Sequence, residues 1–148
     1  MANAYEQEDL KYVTAPELRT WIQSGSHTGA GKVGVIDVRE SDFVGGHIKG
    51  AYNFPAKKFL ELISQVQEQL ISDDINDVVF HCVRSNGRGP RITLQFLNAI
   101  KDFTTENQEH FAKVGVWVLK GGFVAWQEEF GKDNTLTEDF DEEKWANI

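Results

Sequence analysis

A disulfide needs two cysteines, and this chain has one, Cys82. An internal disulfide is excluded, and a lone thiol points to a reducing compartment, the cytoplasm with the nucleus as a second location. Long apolar runs are missing too. No stretch approaches the roughly 18 residues a membrane span needs, so a membrane partner is not expected. The opening MANAYEQEDL has neither the basic flank nor the apolar core of a secretory signal. Basic residues are in the minority, 15 Lys and Arg against 23 Asp and Glu, for a formal net charge of −8. No cationic stripe exists to meet a phosphate backbone, which argues against nucleic acid as a partner. His27, His47, His81, His110 and Cys82 show no metal-ligand spacing, so neither a metal nor any other cofactor is expected. His47 reads as a structural, hydrogen-bonding histidine.

The length of 148 residues suits one hydrophobic core, expected as a single domain spanning about 12–130 between acidic ends. Glu6, Glu8 and Asp9 crowd the start, and eight acids face only Lys132 and Lys144 over 128–148. These ends read as solvated tails. The centre is close to neutral and does not repel an anion.

Thr14-Ala-Pro16-Glu17 carries a hydroxyl N-cap, a first-turn proline and a capping-box glutamate, which predicts a helix through Leu18, Trp21 and Ile22, closed by Gly25. The stretch SGSHTGAGK reads as a loop. VGVIDV (33–38) and 77–81 are β-branched runs suited to buried strands, and 114–119 is a third. Residues 51–54 predict a short strand, and Pro55 predicts the start of a helix with Phe59, Leu62, Ile63, Val66 and Leu70 as its apolar stripe. Pro90 opens another helix, and 123–130 a last short one. Strands alternate with helices, so the expected class is α/β, a mostly parallel central sheet with helices on both faces. Gly29, Gly31 and Gly34 spell G-x-G-x-x-G, but they precede a strand and open no helix, the reverse of a dinucleotide site.

The chemistry is expected where the thiol sits. Ligands of parallel α/β sheets bind beyond the carboxyl ends of the strands. Cys82 follows strand 77–81 and is itself followed by Val83, Arg84, Ser85, Asn86, Gly87 and Arg88, then a helix start. Free N–H groups at a helix N-terminus, with a tight loop above them, form an anion nest. The same dipoles favour a thiolate. Arg88 adds a planar, permanently charged fork for an oxyanion. The alternative reading, a small buried hydrophobe, predicts no such polar sequel.

HCVRSNGRGP (81–90) resembles the His-Cys-x5-Arg signature of cysteine-based phosphatases. VIDVRESDFVGGHIKGAYNFP (35–55) and VWVLKGGFVAW (116–126) are similar to the first and last blocks of rhodanese-fold domains. GGHIKGA is especially similar to the M-phase-inducer dual-specificity phosphatases. The Arg-Gly-Pro ending is shared with them and with fungal arsenate reductases, so the nearest resemblance is to small single-domain fungal phosphatases. It implies that Cys82 is the nucleophile, that the amides of Val83–Gly87 and the Arg88 side chain hold the oxyanion, and that His81 and Asp37 support the loop. The implied partner is a phosphorylated protein or small molecule, or a free oxyanion. Arsenate reduction is the alternative and would draw on external thiols such as glutathione and glutaredoxin. Sulfur transfer ranks third, because the sulfurtransferases carry a loop one residue shorter. A non-catalytic binding module ranks fourth, having no use for Cys82 with Arg88.

Departures from the pattern matter. Val83 stands where M-phase inducers have a glutamate discussed as the general acid. Gly89 stands where the larger phosphatase class has Ser or Thr. No second cysteine is present to trap an oxidised nucleophile. Asp37 is expected as a buried carboxylate holding the loop, with an acid role second, and Arg39 as its scaffold partner.

Overall fold

The two central β-branched runs lie side by side in the computed structural model of the chain, which describes residues 4–25 and 31–146. They are β2 (Val33–Asp37) and β5 (Asp77–His81), paired in parallel along their whole length. With β1 (Tyr12–Val13), β4 (Tyr52–Asn53) and β6 (Gly115–Leu119) they form a five-stranded parallel sheet in the order β1-β6-β5-β2-β4. Strand alternation sorts their side chains to two faces. Ile36, Val78 and Phe80 pack with Val66, Leu70, Ile92 and Phe96, which lie on α2 (Ile63–Ser72) and α3 (Arg88–Ala99). Val35 and Val79 pack with Leu18, Phe123 and Trp126, on α1 (Ala15–Ser24) and α5 (Gly122–Phe130). This is the expected α/β class with helices on both faces. Phe59, Phe80 and Phe96 meet edge-on or tilted at the centre of the first face and are fully buried. Removing one such ring costs about 3–5 kcal/mol.

Local signals account for several boundaries. Thr14 caps α1 as its sequence predicts: its Oγ1 accepts from the Glu17 amide, and the Glu17 carboxylate accepts from the Thr14 amide. The expected loop after α1 falls largely on residues 26–30, outside the described residues, as do His27 and Gly29. The helix expected from Pro55 is different. A short 3-10 turn, Ala56–Lys58, comes first, and α2 starts only at Ile63. Phe59 is withdrawn into the Phe80–Phe96 cluster between them, which breaks the helical run. A helix missed in the sequence, α4 (Thr105–Phe111), is capped by Thr104 and delivers Phe111 to the same core. No helix of the described residues is long and apolar enough to cross a membrane.

The acidic C-terminal end is not a solvated tail. β7 (Thr137–Glu138) pairs antiparallel with β3 (His47–Ile48), and α6 (Glu142–Trp145) follows. Leu136, Thr137 and Trp145 are buried. Trp145 packs on Phe123 and donates its indole N–H to the Gly45 carbonyl at 2.8 Å. A few apolar anchors, hidden by the charge count, carry this strap onto the turn that follows β2. At the other end Leu10 is buried and the Tyr5 amide donates to Asn98 Oδ1, so the 5–10 segment also lies on the fold.

Candidate active site

β5 ends at His81, and the chain turns at once into the loop 82–87 before α3 begins at Arg88, two residues ahead of the expected Pro90. Proline in the third helical position is harmless, since first-turn amides have no intrahelical acceptor. Alternation puts His81 and Cys82 on opposite faces: His81 stacks on Phe123, while Cys82 joins the cluster that holds Ile92. The Cys82 thiol is buried, and its Sγ accepts a hydrogen bond from the Gly89 amide of α3 at 3.3 Å. That amide is one of the free donors of a helix N-terminus, the group that stabilises a thiolate.

The loop carbonyls are held from below. The Phe123 amide donates to Cys82 O at 3.0 Å and the Val124 amide to Val83 O at 2.9 Å. The close approach explains Gly122, which has φ +58°; a Cβ there would meet both carbonyl oxygens at 2.5–2.7 Å. The first two carbonyls of the loop are thus tied to α5. Ser85 adopts φ +52°, unusual for a residue with a side chain, and its Oγ is buried with no partner among the described residues. Arg84, Asn86 and Gly87 are exposed on the rim, and Val83 is half-buried.

His81 and Asp37 stand behind the loop. His81 Nδ1 lies 2.9 Å from Cys82 O, so this nitrogen carries the proton and donates. Burial pushes the imidazole below its ordinary value, against the pull of Asp37, and Nε2 faces Asp37 Oδ2 at 3.5 Å. Asp37 is fully buried and accepts from the Arg39 amide, Nε and Nη2. Arg39 is sandwiched between Phe43 and Phe123 and also donates to Gly46 O. Both Asp37 oxygens are occupied and the residue has no exposed surface, a scaffold arrangement that leaves no path to a substrate.

Arg88 brings in two acids from the turn after β2. Its Nη1 and Nη2 donate to Asp42 Oδ1 and Oδ2 at 2.9 and 2.5 Å, and Nη1 lies 3.4 Å from Glu40 Oε1. The bond to Arg88 holds the Asp42 carboxyl down at about 2, and the same pair pushes the arginine above its usual range. Asp42 was findable: β2 and β5 run parallel and adjacent, so acids just past the end of β2 must stand beside the loop that leaves β5.

This arrangement has a buried thiol at the base with a helix-start amide on it, a buried hydroxyl with no partner among the described residues, and a guanidinium at the rim, which suits displacement at a tetrahedral oxyanion. Comparison with known proteins agrees. The chain is 29% identical to the CDC25-like phosphatase YCH1 of Saccharomyces cerevisiae, over 97% of this chain and 99% of that protein. It is 28% identical to arsenical-resistance protein 2 of the same yeast, over 68% of this chain and 78% of that one. The crystal structure of Saccharomyces cerevisiae Ygr203w, described as a homolog of single-domain rhodanese and the Cdc25 phosphatase catalytic domain, superposes with a TM-score of 0.83 at 28% identity, covering 99% of each chain. The rhodanese-like domain pattern matches residues 14–129, which hold all five strands of the parallel sheet but the first and the whole of the Cys82 loop, and the chain belongs to the rhodanese-like domain family.

Proposed function

We propose that the chain is a cysteine-dependent phosphatase that hydrolyses phosphate monoesters through a phosphocysteine, of the protein-tyrosine or dual-specificity type. The observation that carries the reading is the Gly89 amide on Cys82 Sγ, at the base of a seven-residue loop that ends in Arg88. Thiolate Cys82 attacks phosphorus in line. The S–P bond forms as the P–O bond to the leaving group breaks, and the leaving oxygen takes a proton. Water then attacks phosphorus, the S–P bond breaks, and inorganic phosphate departs with the thiolate restored. Loop amides and Arg88 hold the equatorial oxygens, which supplies the electrostatic stabilisation such a transfer requires. Ser85 Oγ, buried and without a partner among the described residues, is a further donor for an oxyanion.

The loop has no acid of its own. Asp37 is sealed behind Arg39, Asp42 is held ionised by Arg88, and Glu40 has Oε1 on Arg88 and Oε2 on the Lys57 amide. The proton for the leaving group comes from substrate, partner or solvent.

Arsenate reduction is the second reading, favoured by the likeness to arsenical-resistance protein 2. Arsenate would form an adduct on Cys82, and two electrons from external thiols such as glutathione or glutaredoxin would reduce it to arsenite as those thiols form a disulfide. The shorter alignment and the lack of a second cysteine place it behind hydrolysis. A side-by-side assay of aryl phosphate hydrolysis, thiol-dependent arsenate reduction and thiosulfate–cyanide sulfur transfer separates the readings. Hydrolysis is expected to be the fastest of the three, and a faster arsenate reduction would reverse the order.

A further inference from the structure

Arg88 has five N–H donors in one plane. The two carboxylates beside it take three. Asp42 binds end-on, one oxygen to each Nη, and Glu40 Oε1 stands by the other hydrogen of Nη1. Nε–H and one Nη2 hydrogen remain, with no partner among the described residues. These two lie side by side on one edge of the guanidinium, and that edge is itself a bidentate fork. The carboxylates do not exhaust the arginine; they select the edge it offers.

Both carboxylates are fixed independently of any ligand. The Glu40 amide donates to Asp42 Oδ1 at 2.9 Å, and the Lys57 amide holds Glu40 Oε2 at 3.0 Å. The turn that carries them is clamped at Gly45, whose carbonyl accepts from Trp145 Nε1 and from the Asp141 amide, and at Gly46, whose carbonyl accepts from Arg39 Nη2. Asp42 is therefore a rigid stop against which a long side chain is aligned.

We propose that Asp42 is a positioning residue of the hydrolysis, holding Arg88 end-on so that its Nε–Nη2 edge meets the equatorial oxygens of the bound anion. This rests on the phosphatase reading above. Two effects of Asp42 oppose each other. Its charge repels an incoming anion, so removing the charge alone tightens anion binding. Its alignment of the fork favours the anion, and most of all the transition state, so removing the alignment loosens binding. The sign of the change shows which effect governs.

The test uses the full chain and its Asp42→Asn variant, which keeps the size of the side chain but sets an amide donor against one Nη. Inorganic phosphate and orthovanadate binding are measured by calorimetry, and kcat and KM with p-nitrophenyl phosphate. The expected result is phosphate binding weakened several-fold, vanadate binding weakened about tenfold or more, and kcat lowered about tenfold, the scale of a misplaced oxyanion donor. The melting temperature should stay within a few degrees, because Asp42 is partly exposed. Glu40→Gln should show the same pattern more weakly, since its contact is the longer one. Unchanged or tighter binding of both anions in Asp42→Asn, with kcat near wild type, would overturn the proposal. If the wild-type protein fails to hydrolyse the ester, the phosphatase reading fails, while the anion affinities of the two proteins still decide the role of Asp42.

Discussion

Asp37 and His81 are register partners on adjacent parallel strands, and both side chains point to the face opposite Cys82. The pair is the hidden floor of the site. His81 donates through Nδ1 to the Cys82 carbonyl, the same oxygen that accepts from the Phe123 amide of α5. The Cys82 carbonyl is thus tied to β5 and α5, while its sulfur faces the helix that follows it.

Burial of His81 makes the fold sensitive to acid. Around its ring stand Asp37 and Arg39 from the end of β2, the Cys82 carbonyl and Phe123. Burial lowers the imidazole's affinity for protons in the folded state, with the Asp37 charge opposing, so the unfolded chain binds the proton first as pH falls. The stabilisation is fully present above the unfolded value of about 6.5 and declines as pH falls below it. Denaturant unfolding at pH 7.5 and 5.5 should show a smaller loss of stability in His81→Gln than in wild type. An equal or larger loss in the variant would mean that His81 is not kept neutral by the fold.

Ser85 offers a test in which stability and function move apart. Its buried hydroxyl has no partner among the described residues, and a buried polar group without one is a cost to the fold of about 1–3 kcal/mol. Ser85→Ala should be as stable as wild type or more so, yet bind inorganic phosphate several-fold more weakly. A variant that loses stability without losing phosphate affinity would assign the hydroxyl to the scaffold.

Most of the fold is legible in the sequence, because β-branched runs, N-caps and apolar stripes act locally. The capping box at Thr14 and the buried strand at 77–81 are examples, each formed where its own residues dictate. What escaped depends on distant partners. β3 and β7 have two residues each and exist only through each other, and Trp145 becomes core only because Phe123 and Gly45 are there to receive it. The site divides the same way. Cys82 and Arg88 lie in one continuous loop and declare themselves. Asp42 is separated from Arg88 by more than forty residues and joins it only through the β2–β5 pairing.

Val83 makes the chemistry dependent on the leaving group. With no carboxylate in the loop free to donate a proton, a nitrophenolate departs readily and a serine or threonine alkoxide does not. The dependence of kcat/KM on leaving-group pKa should be steep in wild type and flatter in Val83→Glu. A flat wild-type dependence would show that some residue, Glu40 first, already serves as the acid.

The central claim is covalent catalysis by Cys82, and the most direct measurement is the mass of the Cys82 peptide after acid quench during turnover of an aryl phosphate. A phosphoryl adduct should be present on that peptide in wild type, and Cys82→Ser should keep the fold, lose the adduct and lose all but a trace of hydrolysis. Wild-type turnover with no adduct at any time, or a serine variant that keeps more than a few per cent of the rate, would contradict the account.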